Sequence, residues 1–137
     1  MAFHGRCHCG AIAFTFETSR APRHWAIRAC QCSFCRAHGA RTTTDPAGRV
    51  AFEIADPAKL SHYRFGTQSS DFLVCAGCGV YVAAVLTTPR GQFATLNTNA
   101  IYDAAEVPQP IPVSYDDESS EERSVRREGR WTPVVRL

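Results

Sequence analysis

The residues in this sequence with the clearest chemical potential are seven cysteines in three clusters: Cys7-x-Cys9-Gly10, Cys30-x-Cys32-x-x-Cys35 and Cys75-x-x-Cys78-Gly79. None lies outside a cluster, whereas cysteines serving only as small core residues would be dispersed. Their number is odd and some neighbours are one residue apart, which suits disulfides poorly. Zinc supplies a physical reason for the pattern. Two thiolates on a tight turn can reach one ion at about 2.3 Å each, and a glycine directly after the second lets the chain turn away from the metal. Two such pairs make a closed site, so Cys7, Cys9, Cys75 and Cys78 are assigned to a structural zinc, worth on the order of 10 kcal/mol to folding. Cys30, Cys32 and Cys35 remain. Three local ligands with a free fourth position describe a catalytic zinc, because an open site takes water or substrate. Other readings stay open. His38 has the spacing from Cys35 to close the site as Cys₃His, thiolates also hold iron–sulfur clusters, and Cys75-Ala-Gly-Cys78 matches a thioredoxin-like pair without its βαβ context.

The elements that must position these clusters read as mainly β. Ala11 to Glu17 alternates, with Ile12, Phe14 and Phe16 on one face of a half-buried strand. Trp25 to Ala29 resumes an extended pattern into the second cluster, and Val50 to Ile54 is a strand closed by Asp56-Pro57. Phe72 to Val74 runs into Cys75, and Val80 to Leu86 leaves Gly79 as an apolar run. Phe93 to Leu96 can pair with that run across the Pro89-Arg90-Gly91 turn. No segment before residue 100 sustains a 3.6-residue apolar period.

The length of 137 residues fits one domain, and 45% hydrophobic residues suffice for a core. Within it, residues 1–106 read as a zinc-binding β domain and 107–137 as a C-terminal extension. Val107 to Pro112 carries three alternating prolines and should be extended. Ser119-Ser-Glu-Glu122 resembles a capping box opening a short helix, with Gly129 as its stop and Trp131 and Pro133-Val-Val able to dock back. A mobile charged tail is the competing expectation for this stretch.

The formal net charge is +2, but thiolates alter it: two Zn²⁺ on seven thiolates give +2 + 4 − 7 = −1. With basic residues scattered along the chain, no nucleic-acid partner is expected. No apolar run of membrane-spanning length is present, so no membrane partner is expected either. The start, Met-Ala-Phe-His-Gly-Arg-Cys, lacks the pattern of a signal peptide, and free thiols suit a reducing compartment, so the expected location is cytoplasmic.

Together, Gly5-Arg-Cys7-His-Cys9-Gly10, Cys30-Gln-Cys32-Ser33-Phe-Cys35-Arg36 and Phe72-Leu-Val-Cys75-Ala-Gly-Cys78-Gly79 resemble the glutathione-dependent formaldehyde-activating enzyme and centromere protein V family. The resemblance covers roughly the first hundred residues. It implies a β-tent-like fold of stacked antiparallel sheets stapled by zinc. It also implies the division of cysteines reached above, with glutathione or another small thiol as cosubstrate and a small aldehyde such as formaldehyde as its target. The expected activity is that of a carbon–sulfur lyase, in a monomer or homodimer. His38 is the candidate proton shuttle, and Arg36 and Arg41 are candidates to meet the carboxylates of the thiol. Ser69, Ser70 and Asp71 are further candidates to line the site. No cluster dedicated to the two ends of glutathione is visible in the sequence. Two other classes compete with the enzyme: a zinc-stapled protein-binding module, and a thiol or metal sensor that oxidises reversibly at Cys30, Cys32 and Cys35.

Overall fold

The chain opens with an antiparallel hairpin, β1 (Ala2–Arg6) and β2 (Ile12–Glu17), whose connection is the first cysteine turn. The computed structural model describes all 137 residues. Gly5 lies opposite Phe14, and its lack of a side chain is required there, because a Cβ would lie 2.2 Å from the ring. Next come β3 (Arg28–Cys30), α1 (Ser33–His38), β4 (Thr42–Thr43) and β5 (Arg49–Ile54). A meander follows, made of β6 (Leu60–Tyr63), β7 (Ser70–Cys75), β8 (Tyr81–Thr88) and β9 (Gly91–Asn97). The chain closes with β10 (Ile111–Val113), α2 (Ser120–Arg130) and β11 (Thr132–Arg136).

The fold is mainly β, as its residue patterns predict. The strands join in one network with the order β1-β2-β5-β11-β9-β4-β3-β10, and β8, β7 and β6 branch from β9. One strand makes the corner. Thr132 and Pro133 of β11 pair antiparallel with β9, while Val134 and Arg136 pair parallel with β5. The sheet thereby folds into two layers. Ile12, Phe14 and Phe16 of β2 and Val50 and Phe52 of β5 pack against Leu73, Val82, Val85 and Leu96 of the meander. A second core covers the opposite face of the meander, where Phe72, Tyr81, Ala84 and Leu86 meet Cys35 and Trp131. Because β8 is buried on both faces, its sequence is a continuous apolar run rather than an alternation.

Several elements were not legible in advance. Helix α1 has six residues, too few to display a helical period; Cys32 caps its start and Gly39, with φ of 56°, ends it. The extended stretch expected up to Pro112 contributes β10, which pairs parallel with β3 and sets Val113 beside Cys30. The capping box at Ser119 and Glu122 is present in both directions, each bond 3.1 Å. The helix does not stop at Gly129. It ends one residue later, where Trp131 turns extended, buries its indole and leads into β11. No helix is long and apolar enough to cross a membrane.

Candidate metal centre

Two groups of sulfurs converge, and both could hold a metal ion: Cys7 with Cys9, Cys75 and Cys78, and Cys30 with Cys32 and Cys35. None of the seven cysteines forms a disulfide. The first group is built from two equivalent turns, one in the β1–β2 connection and one between β7 and β8. In each, the glycine after the second cysteine is left-handed, Gly10 at φ 83° and Gly79 at φ 81°. In each, a backbone N–H also points at sulfur: Ile12 donates to Cys7 Sγ and Cys78 to Cys75 Sγ, both at 3.4 Å. Cys7 and Cys9 sulfurs are 3.8 Å apart and those of Cys9 and Cys75 3.5 Å. A tetrahedral ion with bonds of about 2.3 Å requires sulfurs about 3.8 Å apart, so the donor set fits zinc. Desolvation opposes ionisation of Cys78, but backbone N–H groups of Cys9 and Val80 and the neighbouring thiols outweigh it and bring its pKa down to about 6.

The second group sits where β3 ends and α1 begins. Cys30 is the last residue of β3, Cys32 caps α1 and Cys35 lies buried in its first turn. The Cys35 N–H donates to Cys32 Sγ at 3.4 Å, and Gln31 N–H donates to Val113 O at 2.9 Å, so β10 fixes the strand end. The three sulfurs lie within 4.8 Å of one another. Hydrogen bonds from Cys30 and Cys35 hold the Cys32 thiol down to about 2, and the same contacts with Cys30 and Cys32 push Cys35 far up. Cys30 is raised chiefly by its bond to Cys32. Thiols this close oppose one another's ionisation, and a divalent cation held between them would favour the thiolate form of all three.

This group opens into a chamber of about 160 Å³. Phe65, Phe72, Tyr81 and Trp131 form its apolar walls, and Arg28, Thr42 and Thr44 line it from β3 onwards. Its remaining side comes from α2, through Arg123, Arg126, Arg127 and Arg130. Burial raises the pKa of Tyr81 well above the usual phenol, and the charges of Cys35, Cys32 and Cys30 add to the shift. Tyr81 is therefore a neutral hydrogen-bond donor at the chamber wall.

His38, Arg36 and Arg41 are all exposed and do not line the chamber. The His38 ring lies tilted against Phe34, with centroids 4.5 Å apart, and is not gathered with the three sulfurs. Arg41 Nε donates to Asn99 Oδ1 at 2.7 Å, which ties the loop before β4 to the turn that follows β9. Ser69 and Ser70 reach the site indirectly, since Arg127 Nη1 donates to Ser70 Oγ at 2.7 Å and to Ser69 Oγ at 3.3 Å. Asp71 pairs with Arg64, which lowers its carboxyl pKa. Sequence reasoning missed Arg28, Tyr81 and the α2 arginines as lining residues. A readable signal existed for the last: Arg123, Arg126, Arg127 and Arg130 recur at i, i+3, i+4 and i+7, one face of a helix.

The family model described as glutathione-dependent formaldehyde-activating enzyme matches residues 2–115, most of the chain, and ends before α2. Among solved structures, a Rhodobacter sphaeroides protein is similar at 26% identity and a TM-score of 0.57. The similarity covers 77% of this chain and 97% of that one.

Proposed function

This chain belongs to the glutathione-dependent formaldehyde-activating enzyme family, and on that footing we propose that it is a zinc-dependent carbon–sulfur lyase joining a small thiol, glutathione or similar, to a small aldehyde such as formaldehyde. Cys7, Cys9, Cys75 and Cys78 would hold a structural zinc, and Cys30, Cys32 and Cys35 a catalytic one. The observation that carries this reading is a cluster of three sulfurs, with no fourth side-chain ligand gathered to it, facing a chamber. Zinc bound there would lower the pKa of a substrate thiol and favour its thiolate near neutral pH.

The protein's own residues supply orientation, shelter and a hydrogen bond. Phe65, Phe72 and Trp131 keep the reacting groups in apolar surroundings, where hydrogen bonds to developing charge are stronger than in water. The neutral Tyr81 hydroxyl donates to the aldehyde oxygen as negative charge develops on it. A new S–C bond forms, the C=O double bond becomes a single bond, and the proton lost by the thiol ends on that oxygen. The product is the S-hydroxyalkyl thioether. The reverse reaction breaks the C–S bond. Holding thiol and aldehyde side by side supplies much of the remaining acceleration. Thiol chemistry of this kind suits a reducing compartment such as the cytoplasm.

The test is Cys35→Ser in protein purified under reducing conditions. The variant should stay folded, fall from two zinc ions per chain to one, and form S-hydroxymethylglutathione no faster than the uncatalysed reaction by exchange NMR. Full activity in folded protein carrying one zinc would end the proposal. Native mass spectrometry adds a second readout: one of two zinc ions should take up glutathione. Two ions indifferent to thiol would instead favour a closed second site and a binding module.

A further inference from the structure

Helix α2 docks against the body of the protein with its charged face inward. Arg123, Arg126 and Arg127 are half-buried and line the chamber with Arg130, whereas Val125 points to solvent at 67% exposure. A helix held by ordinary amphipathic packing would do the reverse. The inward face therefore has a purpose other than core formation.

The arginines are unequally satisfied. Arg126 makes a two-pronged pair with Glu118, at 2.8 and 3.0 Å, and lies over the Tyr115 ring. Arg123 donates from Nη2 to Tyr115 O at 2.8 Å, and its Nε stays 3.7 Å from Glu118, without a hydrogen bond. Arg127 has no acidic partner. It lies over the Trp131 ring, donates from Nη1 to Ser69 and Ser70, and leaves its buried Nε unpaired. Burial first, and the charges of Arg126 and Arg123 next, bring the pKa of Arg127 down to about 10, so it is still charged at neutral pH.

Charge in the chamber does not balance. Five arginines line it (Arg28, Arg123, Arg126, Arg127 and Arg130), against the two carboxylates of Asp116 and Glu118, which gives 5 − 2 = +3. Three thiolates with one divalent ion add −3 + 2 = −1, leaving +2. Most of this surplus sits on half-buried side chains, Arg130 and Asp116 being exposed, and it calls for an anion; paired guanidinium groups match a carboxylate best. The volume bounds what enters. At about 160 Å³ the chamber is roughly half the smallest drug-sized pocket, about 300 Å³, so it takes a small acid whole or one end of a peptide.

We propose that α2 supplies a carboxylate subsite to the three-cysteine centre, with Arg127 and Arg123 binding a carboxylate carried by one of the two reactants. The inference rests on the enzymatic reading above but adds to it: α2 lies beyond the residues matched by the family model, so this chain brings its own selectivity element. The carboxylate belongs either to the thiol, as in glutathione, or to the aldehyde, as in an oxo acid such as glyoxylate.

The experiment measures binding and turnover separately, on the zinc-loaded full chain. Two unreactive probes are titrated by calorimetry: S-methylglutathione for the thiol side and oxamate for the oxo-acid side. One of them should bind wild type at least tenfold more tightly than its ester or, for S-methylglutathione, than at least one of its two monoesters, and the one that does identifies the reactant. Arg127→Met should weaken that probe at least tenfold, Arg127→Lys should recover part of the loss, and added salt should weaken binding to wild type. In turnover, Arg127→Met should raise KM for the carboxylate-bearing reactant and leave KM for a neutral counterpart, 2-mercaptoethanol or formaldehyde, unchanged. Equal binding of acid and ester by wild type, a comparison needing no variant, would overturn the subsite. Unaltered probe binding in folded Arg127→Met would do the same. Probe binding that survives in Cys35→Ser alongside a wild type without turnover would instead strike the enzymatic reading and leave the subsite standing.

Discussion

Cys9 offers the sharpest test of the four-cysteine centre, because it is exposed while its sulfur lies 3.8 Å from that of Cys7 and 3.5 Å from that of Cys75. An exposed cysteine without a metal role can become serine within about 0.5 kcal/mol. As one of four ligands it behaves differently. Structural zinc contributes about 10–16 kcal/mol to folding, and loss of one thiolate in four removes roughly a quarter, about 3 kcal/mol or more. Total stability for a chain of 137 residues is about 7–20 kcal/mol, at roughly 0.05–0.15 kcal/mol per residue. The unfolding entropy near 60 °C is about 0.3 kcal/mol/K, from roughly 2.1 cal/mol/K per residue, so 3 kcal/mol corresponds to a Tm lowered by about 10 °C. The assay is thermal unfolding of zinc-loaded Cys9→Ser by circular dichroism under reducing conditions, with zinc per chain measured on the same sample. The structure gives the large effect a physical path: this centre clamps the β1–β2 turn to the β7–β8 turn. A Tm within about 2 °C of wild type with an unchanged zinc count would refute the argument. Cys9 would then be a surface thiol, and the clamp would be closed by some other group.

Two further outcomes follow from the chamber. Tyr81→Phe removes the hydroxyl and keeps the ring, so kcat should fall about 10²-fold with a similar fall in kcat/KM, the signature of a donor used only in the transition state. Steady-state kinetics with glutathione and formaldehyde checks this, and unchanged kcat would assign Tyr81 to packing alone. Trp131→Ala deletes a buried indole, 7% exposed, from the second core beneath Arg127. It should cost about 3–5 kcal/mol and lower the Tm by more than 10 °C. Limited proteolysis should then cut α2 first, because the helix loses its anchor at the C-terminal end.

The sulfur chemistry was legible because ligand spacing is local. Two cysteines and a glycine on one turn fold the same way wherever the turn is placed, and Gly10 and Gly79 adopt the left-handed conformation that this pattern requires. The strands beside those turns were legible too, since alternation in β2 and the apolar run of β8 are written residue by residue. Elements made by pairing were not. β4 has two residues and β10 three, and neither carries a pattern; each exists because a neighbouring strand supplies its hydrogen bonds. β11 reads as a stray apolar end until its two halves are seen to join different layers.

The sequence alone thus determined which atoms could bind metal, how they divide into four and three, and that β-structure would carry them. Tertiary structure decided what surrounds the three-cysteine centre. Arg28 and the α2 arginines are some hundred residues apart along the chain, and their clustering was invisible while they were counted as scattered charge. Nor did sequence order reveal that the open side of the chamber would be covered by a helix whose charged face turns inward. A ligand turn is fixed by a few adjacent dihedral angles, whereas a chamber wall depends on how distant segments dock, and that is settled only when β11 closes the sheet and seats Trp131.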